Sequence, residues 1–469
     1  KPQFSPRFGF NYKPFDDENG SLQIRGGTGL FTGTPPYVWI SNQAGNNGVL
    51  FGDLNVRAVK DKNDNIISDG RPSLGFTGNM DTYKPAEGSA TRSDIAITDP
   101  DFKYPSLWKS NIAADYKFGD GWVATVELLY SKDINAIYHD NIGLYRTEQF
   151  VNDGGAGNAR PYYNGYYSDR EGNQKAANHV VMLRNTSKGH SLYTTFQLQK
   201  NFVDGILKGL YLNGSYSFGQ SRGVTDGTSS VATSAWKYRA ALDGNAEEVG
   251  YTAGSFDGRL LLSASYTANW SKYAATSFGL IYQRYRPFRY SYCYNGDANG
   301  DSQFSNDLMY IPANFDEVKD HLLPGDFDSQ EDAWKAMNAF IEQDPYLSKH
   351  RGEYAERNGA VAPFANQLDL SVSHDIKIYQ KNGRSHTLRF SFNIANFLNL
   401  LNRNWGVVQT TVLGNQQYQF LTIPKGQGPS AANNYTLKYT MAKDLDETFK
   451  DNLNDVSRWQ MQFGIKYIF

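Results

Sequence analysis

The stretch "DANGDSQFSND" holds the residues whose spacing best suits chemistry. Asp297, Asn299 and Asp301 place side-chain oxygens at alternate positions of a glycine-containing turn, and Gln303 and Asp307 follow. Calcium takes several such oxygens at once, and calcium loops open with this alternation. The acid that closes such a loop at position 12 is missing, because Asp307 stands at 11 and Leu308 at 12. Two readings stand side by side. The five residues hold Ca2+ in a surface loop, or their side chains cap nearby backbone N–H groups as Asx turns.

Tyrosine-rich segments offer a different chemistry. "ARPYYNGYYSDREGN" (159–173) and "QRYRPFRYSYCYNGD" (283–297) interleave Tyr with Arg and Asn. Such surfaces bind glycans or peptides by stacking and hydrogen bonding. The candidates are Tyr162, Tyr163, Tyr166 and Tyr167, with Tyr37 and Trp39 of "PPYVW" stiffened by the two prolines before them. The other reading of these tyrosines is loop packing, and it is preferred for Tyr282 and Tyr285 beside a strand. "GGTGLFTG" (26–33) misses the dinucleotide fingerprint in spacing and has no helix after it. Small residues where a strand passes close to a neighbouring backbone explain it better. The seven histidines are scattered, with neither His-Glu-x-x-His nor Gly-x-Ser-x-Gly among them, so the expectation is that the chain is not an enzyme.

The elements that carry these residues are strands. "WVATVELLYS" sets Trp122, Ala124, Val126, Leu128 and Tyr130 on one face, and the same alternation recurs at 209–220, 259–270, 366–378 and 386–398. The chain ends on another, "RWQMQFGIKYIF", with Trp459, Met461, Phe463, Ile465 and Tyr467 on one side. Connections alternate in length. Short turns fall near 13–20, 119–121, 202–208, 271–272 and 379–385, and long polar segments at roughly 34–106, 133–190, 222–257, 287–364 and 399–456. Compact soluble domains avoid several long loops, whereas outer-membrane barrels have this asymmetry. Five hairpins and a final strand make eleven strands (4–12 with 21–32, 107–118 with 122–132, 191–201 with 209–220, 259–270 with 273–285, 366–378 with 386–398, then the end). One amphipathic helix is predicted at 329–344, capped by Ser329 and ended by Pro345, with Ala333, Trp334, Met337, Phe340 and Ile341 on its packing side. "GVLFGDLNV" (48–56) and "NYTLKYTM" (434–441) are candidate strands above the membrane.

Composition agrees with an all-β chain. Its 469 residues include 32 Tyr, 28 Phe and 44 Gly, with a net charge of −2 that favours no nucleic acid. Mean hydropathy is −0.58, and no apolar run is long enough for a transmembrane helix. A membrane barrel hides its apolar face in alternation, so neither value excludes one. The lone Cys293 excludes an internal disulfide framework. The opening "KPQFSPRFGFNY" is no signal peptide, so an exported chain would carry its signal upstream.

Four stretches carry a family likeness: "GLFTGTPPYVWISNQAGNNGV" (29–49), "YNGDANGDSQFSNDLMYIP" (294–312), "APFANQLDLSVSHD" (362–375) and "NIANFLNLLNRNWG" (393–406). In this order, before an aromatic last strand, they resemble the C-terminal half of TonB-dependent outer-membrane receptors of the Bacteroidetes type. The Oar-like subgroup, whose chains begin with a carboxypeptidase-regulatory-like domain, is the nearest likeness. SusC-like transporters are related. The resemblance runs over essentially all of residues 1–469. It implies an active transporter in the outer membrane of a Gram-negative bacterium. It implies a 22-stranded antiparallel barrel of which this chain supplies about strands 12–22, with long extracellular loops. The plug, the TonB box and the first barrel half are then expected outside this chain. The implied partners are outer-membrane lipid, that missing half and plug, the TonB-ExbB-ExbD system and an unidentified glycan or peptide ligand. It leaves room for a surface lipoprotein. Oar-like relatives are also connected with protein export, so a barrel-anchored receptor, adhesin or export component is the alternative. A soluble carbohydrate-binding β protein is the third reading.

Overall fold

The computed structural model describes residues 3–47 except 19, short pieces at 59–60, 66–68, 79 and 81, and then 94–151, 160–167, 179–379 except 228, 385–413, 417–430, 435–441 and 447–469. The expected strand at 48–56 lies outside the described residues.

Eleven long strands pair in chain order into one antiparallel meander. They are β1 (Arg7–Asp17), β2 (Gly20–Thr32), β3 (Ser106–Phe118), β4 (Trp122–Asp133), β5 (His190–Asn201), β6 (Leu210–Gly223), β7 (Arg259–Ser271), β8 (Ala274–Tyr285), β9 (Ala365–Tyr379), β10 (Ser385–Ala395) and β11 (Gln460–Ile468). Each expected hairpin is present. The first differs in its turn: β1 continues to Asp17 instead of ending near residue 12, with its register slipping between Tyr12 and Phe15. Pro14 lies inside the slip. It has no N–H to give to the ladder, so the strand bulges around it and resumes pairing.

Register makes the two faces of the sheet continuous. Across β4 to β7 one line runs Val126, Phe196, Tyr216, Leu260 by direct pairing, and across β7 to β11 a parallel line runs Ala264, Leu280, Leu370, Ile394, Met461. This face keeps its large apolar groups exposed: Ile112, Phe196, Leu262, Phe278, Phe463 and Ile465 are among them. A soluble monomer rarely shows so wide an apolar surface. The opposite face is polar and is tied by cross-strand pairs. Arg25 donates to Asp115 at 2.8 Å, Gln197 to Asn213 at 2.8 Å, Gln283 to Gln367 at 3.0 Å, and Arg389 to both oxygens of Asp375 at 2.6 and 2.7 Å. Such pairs set the register and satisfy the polar wall. At Gly26 a Cβ would press on the Phe10 ring and the Asn111 carbonyl, so the glycines of "GGTGLFTG" serve close strand packing, as expected.

The long connections leave from one end of the meander, and their described parts pack together there. Their core brings Tyr290, Tyr292 and Tyr294 against Phe340, Tyr418, Phe420 and Tyr435. The predicted helix is there as Gln330–Gln343, and Ser329 caps it by accepting the Asp332 N–H at 3.1 Å. Ala333, Met337, Phe340 and Ile341 are buried, whereas Trp334 is only partly buried and packs against Phe315. Within 434–441 the strand is short, Leu437–Tyr439, and pairs with Leu421–Thr422 and Leu322–Leu323.

Candidate functional site

The acidic turn is held by a distant strand. The Tyr163 N–H donates to the Asn299 carbonyl at 2.7 Å, docking the turn on strand Arg160–Tyr166. At Gly300 (φ 83°) any side chain would meet the Tyr163 carbonyl, so glycine is required by both conformation and contact. Inside the turn, Asp297 accepts the N–H groups of Gly300 (2.6 Å) and Ser302 (2.8 Å). Asp301 accepts from Gln303 N–H at 2.8 Å, Asn299 accepts from Asp301 N–H at 2.9 Å, and Asp307 accepts from Ala298 N–H at 2.8 Å. These are the bonds of nested Asx turns, the second reading of the sequence. Among the described residues no three His, Cys, Asp or Glu side chains converge as a metal cage. Instead Asp307 pairs with the fully buried Arg160, whose Nη1 lies 3.2 Å from Oδ1. Asp301 is left with no exposed surface. Burial and the charges of Asp307 and Asp297 hold its pKa well above the ordinary carboxylate range.

The tyrosines separate into two sets. Tyr37 and Tyr167 are exposed, and Tyr167 rests edge-on against Tyr145. The other four candidates, Trp39, Tyr162, Tyr163 and Tyr166, are buried in packing. Tyr162 is in the loop core. Tyr163 is buried and donates to Asp243 at 2.7 Å. Tyr166 is buried with its hydroxyl 3.2 Å from His179 Nδ1. Trp39, in helix Tyr37–Gly45, donates from Nε1 to the Ser229 carbonyl at 2.7 Å and meets His139 edge-on. All four rings are buried, and Tyr163, Tyr166 and Trp39 also spend their polar tips inside the protein. Tyr282 and Tyr285 donate to Asn366 and Gln367, as the packing reading expects.

Sequence reasoning missed what joins the loops. Arg160, Arg239, Arg289 and Arg357 are buried. Arg289 donates to the carbonyls of Ser255 (2.8 Å) and Asn358 (3.2 Å), while Arg357 holds those of Gly223 and Val224. Burial draws the Arg239 guanidinium down to about 10, still charged at neutral pH. Asp344, fully buried after the helix, accepts from Tyr292 (2.6 Å), Thr448 (2.7 Å) and the N–H groups of Tyr346 and Leu347. His139 shows the reverse: burial and the Arg239 charge bring it down to about 4, so it is neutral. No local sequence signal marks these residues, because their partners lie up to 148 positions away.

A hollow of about 430 Å³ lies where the polar wall meets the loops. Ser131, Ser191, Ser221 and Tyr193 line it, with Lys109 and Asp133. A side chain at Gly189 would overlap the Asp133 carboxylate, so the glycine makes its room. Hydroxyls with one acid, the cations Lys109 and Arg222, and His190 suit a polar ligand carrying both donors and acceptors.

The family described as outer membrane beta barrel domain matches residues 1–433. No curated protein matches the chain. Among solved structures it is similar to the ferric enterobactin receptor of Pseudomonas aeruginosa, at 8% identity over 84% of this chain and 34% of that one, with a TM-score of 0.35. It is similar to the FrpB iron transporter of Neisseria meningitidis at 9% identity over 83% of this chain and 39% of that one, with a TM-score of 0.29. The chain thus spans between 34% and 39% of the length of these structures. The two-faced meander and the match over residues 1–433 lead to one conclusion: the chain belongs to the outer membrane β-barrel domain family, and its strands lie in the outer membrane.

Proposed function

We propose that the chain forms part of the wall and the extracellular vestibule of a TonB-dependent active transporter. The observation that supports it is the open meander of two-faced strands, roofed on one end by a folded set of loops. Among the described residues β1 and β11 do not pair with each other. An unpaired edge in hydrocarbon leaves backbone groups that cost several kcal/mol each, so further strands must flank both. A 22-stranded barrel, with this chain as about strands 12–22 and a plug inside, meets that need. The ligand, a glycan or peptide, enters past Tyr37 and Tyr167 and meets the hydroxyl-lined hollow at Asp133 and Lys109. The TonB-ExbB-ExbD system then moves the plug through parts outside this chain.

Electron cryomicroscopy of the protein extracted intact from outer membranes tests this. Twenty-two strands around a plug are expected. Eleven strands closed by themselves, or a barrel without a plug, would overturn it; the second outcome favours the anchored receptor or adhesin. Dissipating the proton gradient should stop ligand entry while leaving surface binding intact.

A further inference from the structure

The apolar face carries a groove of about 480 Å³, within the roughly 300–1,000 Å³ of ligand sites. Leu198, Leu212, Leu262 and Leu280 wall it, and Gly214 and Ala264 keep its floor low. Pairing places these residues on one face: Gly214 opposes Leu198 and Leu262, and Ala264 opposes Leu212 and Leu280. The groove runs toward the short-turn end, which in outer-membrane barrels faces the periplasm. At that end stands Lys200, paired across the sheet with Trp122 and Leu212.

Lys200 is not an ordinary interfacial lysine. Such a side chain stretches along apolar surface until its ammonium reaches water. Lys200 is only 9% exposed. Its Nζ donates to the Asp120 carbonyl and lies 5.3 Å from the Trp122 ring and 5.1 Å from that of Phe202. Among the described residues it has no carboxylate within ion-pair distance. A cation is therefore fixed by a carbonyl and two rings, without a carboxylate beside it among the described residues, at the mouth of an apolar groove on the lipid side.

We infer that the groove binds one anionic phospholipid of the periplasmic leaflet, its acyl chain over Gly214 and its phosphate on Lys200. Charge selects the headgroup: a phosphate without a balancing amine gains the full attraction of the ammonium, and a zwitterionic lipid gains less. Shape selects the chain: a Cβ at Gly214 would come within 3.1 Å of Leu262, so any side chain there fills the floor.

Native mass spectrometry of the intact outer-membrane protein, titrated with phosphatidylglycerol or phosphatidylcholine in mixed micelles, tests the inference. Wild type should hold one phosphatidylglycerol more tightly than phosphatidylcholine. Lys200→Gln should weaken phosphatidylglycerol about fivefold, the effect of about 1 kcal/mol for one lysine at an anionic surface. Lys200→Arg should restore it, and Gly214→Val should weaken both lipids. Equal retention of the two lipids by wild type overturns the inference even if a variant fails to assemble. So does an unchanged Lys200→Gln, competition by inorganic phosphate alone, or a second protein copy in place of lipid.

Discussion

Tyr216 sits on the outward face of the wall, 45% exposed, with its ring beside Phe218. Tyr292, in the loops, has no exposed surface, stacks on Tyr346 and donates to Asp344. The same residue type is a lipid-facing anchor in one region and a core residue in the other. The wall uses lipid as its apolar phase and needs no second layer, so its apolar side chains stay uncovered and its polar ones pair across strands. The loops stand in water and must bury their own apolar surface. They do so as a soluble domain does, with a dense aromatic core and buried guanidinium groups crossing between segments.

The contrast breaks most sharply at a buried charge. Arg160→Ala leaves Asp307 buried without its cation and should destabilise the loops by about 3–5 kcal/mol. Limited proteolysis should then cut the loops while the wall keeps its heat-modifiable migration in gels. Adding Asp307→Asn should recover part of the loss. A wall that fails together with the loops would mean that the two regions are not separable.

The wall's two faces should differ next. Phe463→Arg puts a cation on the lipid face of β11 and should cost about 2–4 kcal/mol near mid-membrane. Gln462→Arg, on the polar face one residue away, should cost less than about 0.5 kcal/mol. Unfolding from lipid vesicles in guanidinium measures both, and equal losses would reject the assignment of faces.

Asp301 sharpens the electrostatic side. Its folded pKa lies above its unfolded value, so its contribution is fully present below the unfolded carboxylate pKa. It is lost as pH rises toward the folded pKa. Loop stability should therefore fall above about pH 4, and Asp301→Asn should flatten that fall and be the more stable form at pH 7. Thermal melts with and without added calcium read both possibilities for the turn. If calcium binds there, wild type alone gains melting temperature on its addition, and Asp301→Asn loses that gain.

The smallest effect is at the helix cap. Ser329→Ala removes the acceptor for the Asp332 N–H and should cost about 1 kcal/mol, confined to the loops. Hydrogen exchange at the first turn of Gln330–Gln343 would register it.

The eleven strands were legible because period-two alternation and turn residues are local properties. "WVATVELLYS" contains everything needed to place Trp122–Asp133 on a sheet with two unlike faces. The end of β1 was less so, since the turn residues around Pro14 read as a connection while the ladder slips past them and continues. The buried tyrosines were illegible for another reason. A Tyr beside Arg and Asn has the same local sequence whether it stacks on a ligand or on Phe420. Only contacts such as Tyr163 to Asp243, or Tyr292 to Thr448 through Asp344, decide, and these join segments that no short window contains. Of the six aromatic candidates, the two that stay open are at a helix start and at the end of strand Arg160–Tyr166. The turn at 297–307 showed its donors in sequence but not their direction, which Tyr163 and Arg160 set from afar.

Among the described residues the long strands of the wall pair with one another strictly in chain order, and only Leu210–Gly223 takes a short further partner, Gly250–Tyr251. The entropy lost in closing a connecting segment grows only with the logarithm of its length, about 0.6 kcal/mol for each doubling. A connection such as 286–364 therefore burdens the pairing of β8 with β9 little more than one of a quarter its length. Variation is consequently cheap on the outer side of the membrane and dear in the wall. Sequence drift that changes what the outer surface recognises can proceed by lengthening and refolding loops, while the strand register beneath them is left untouched.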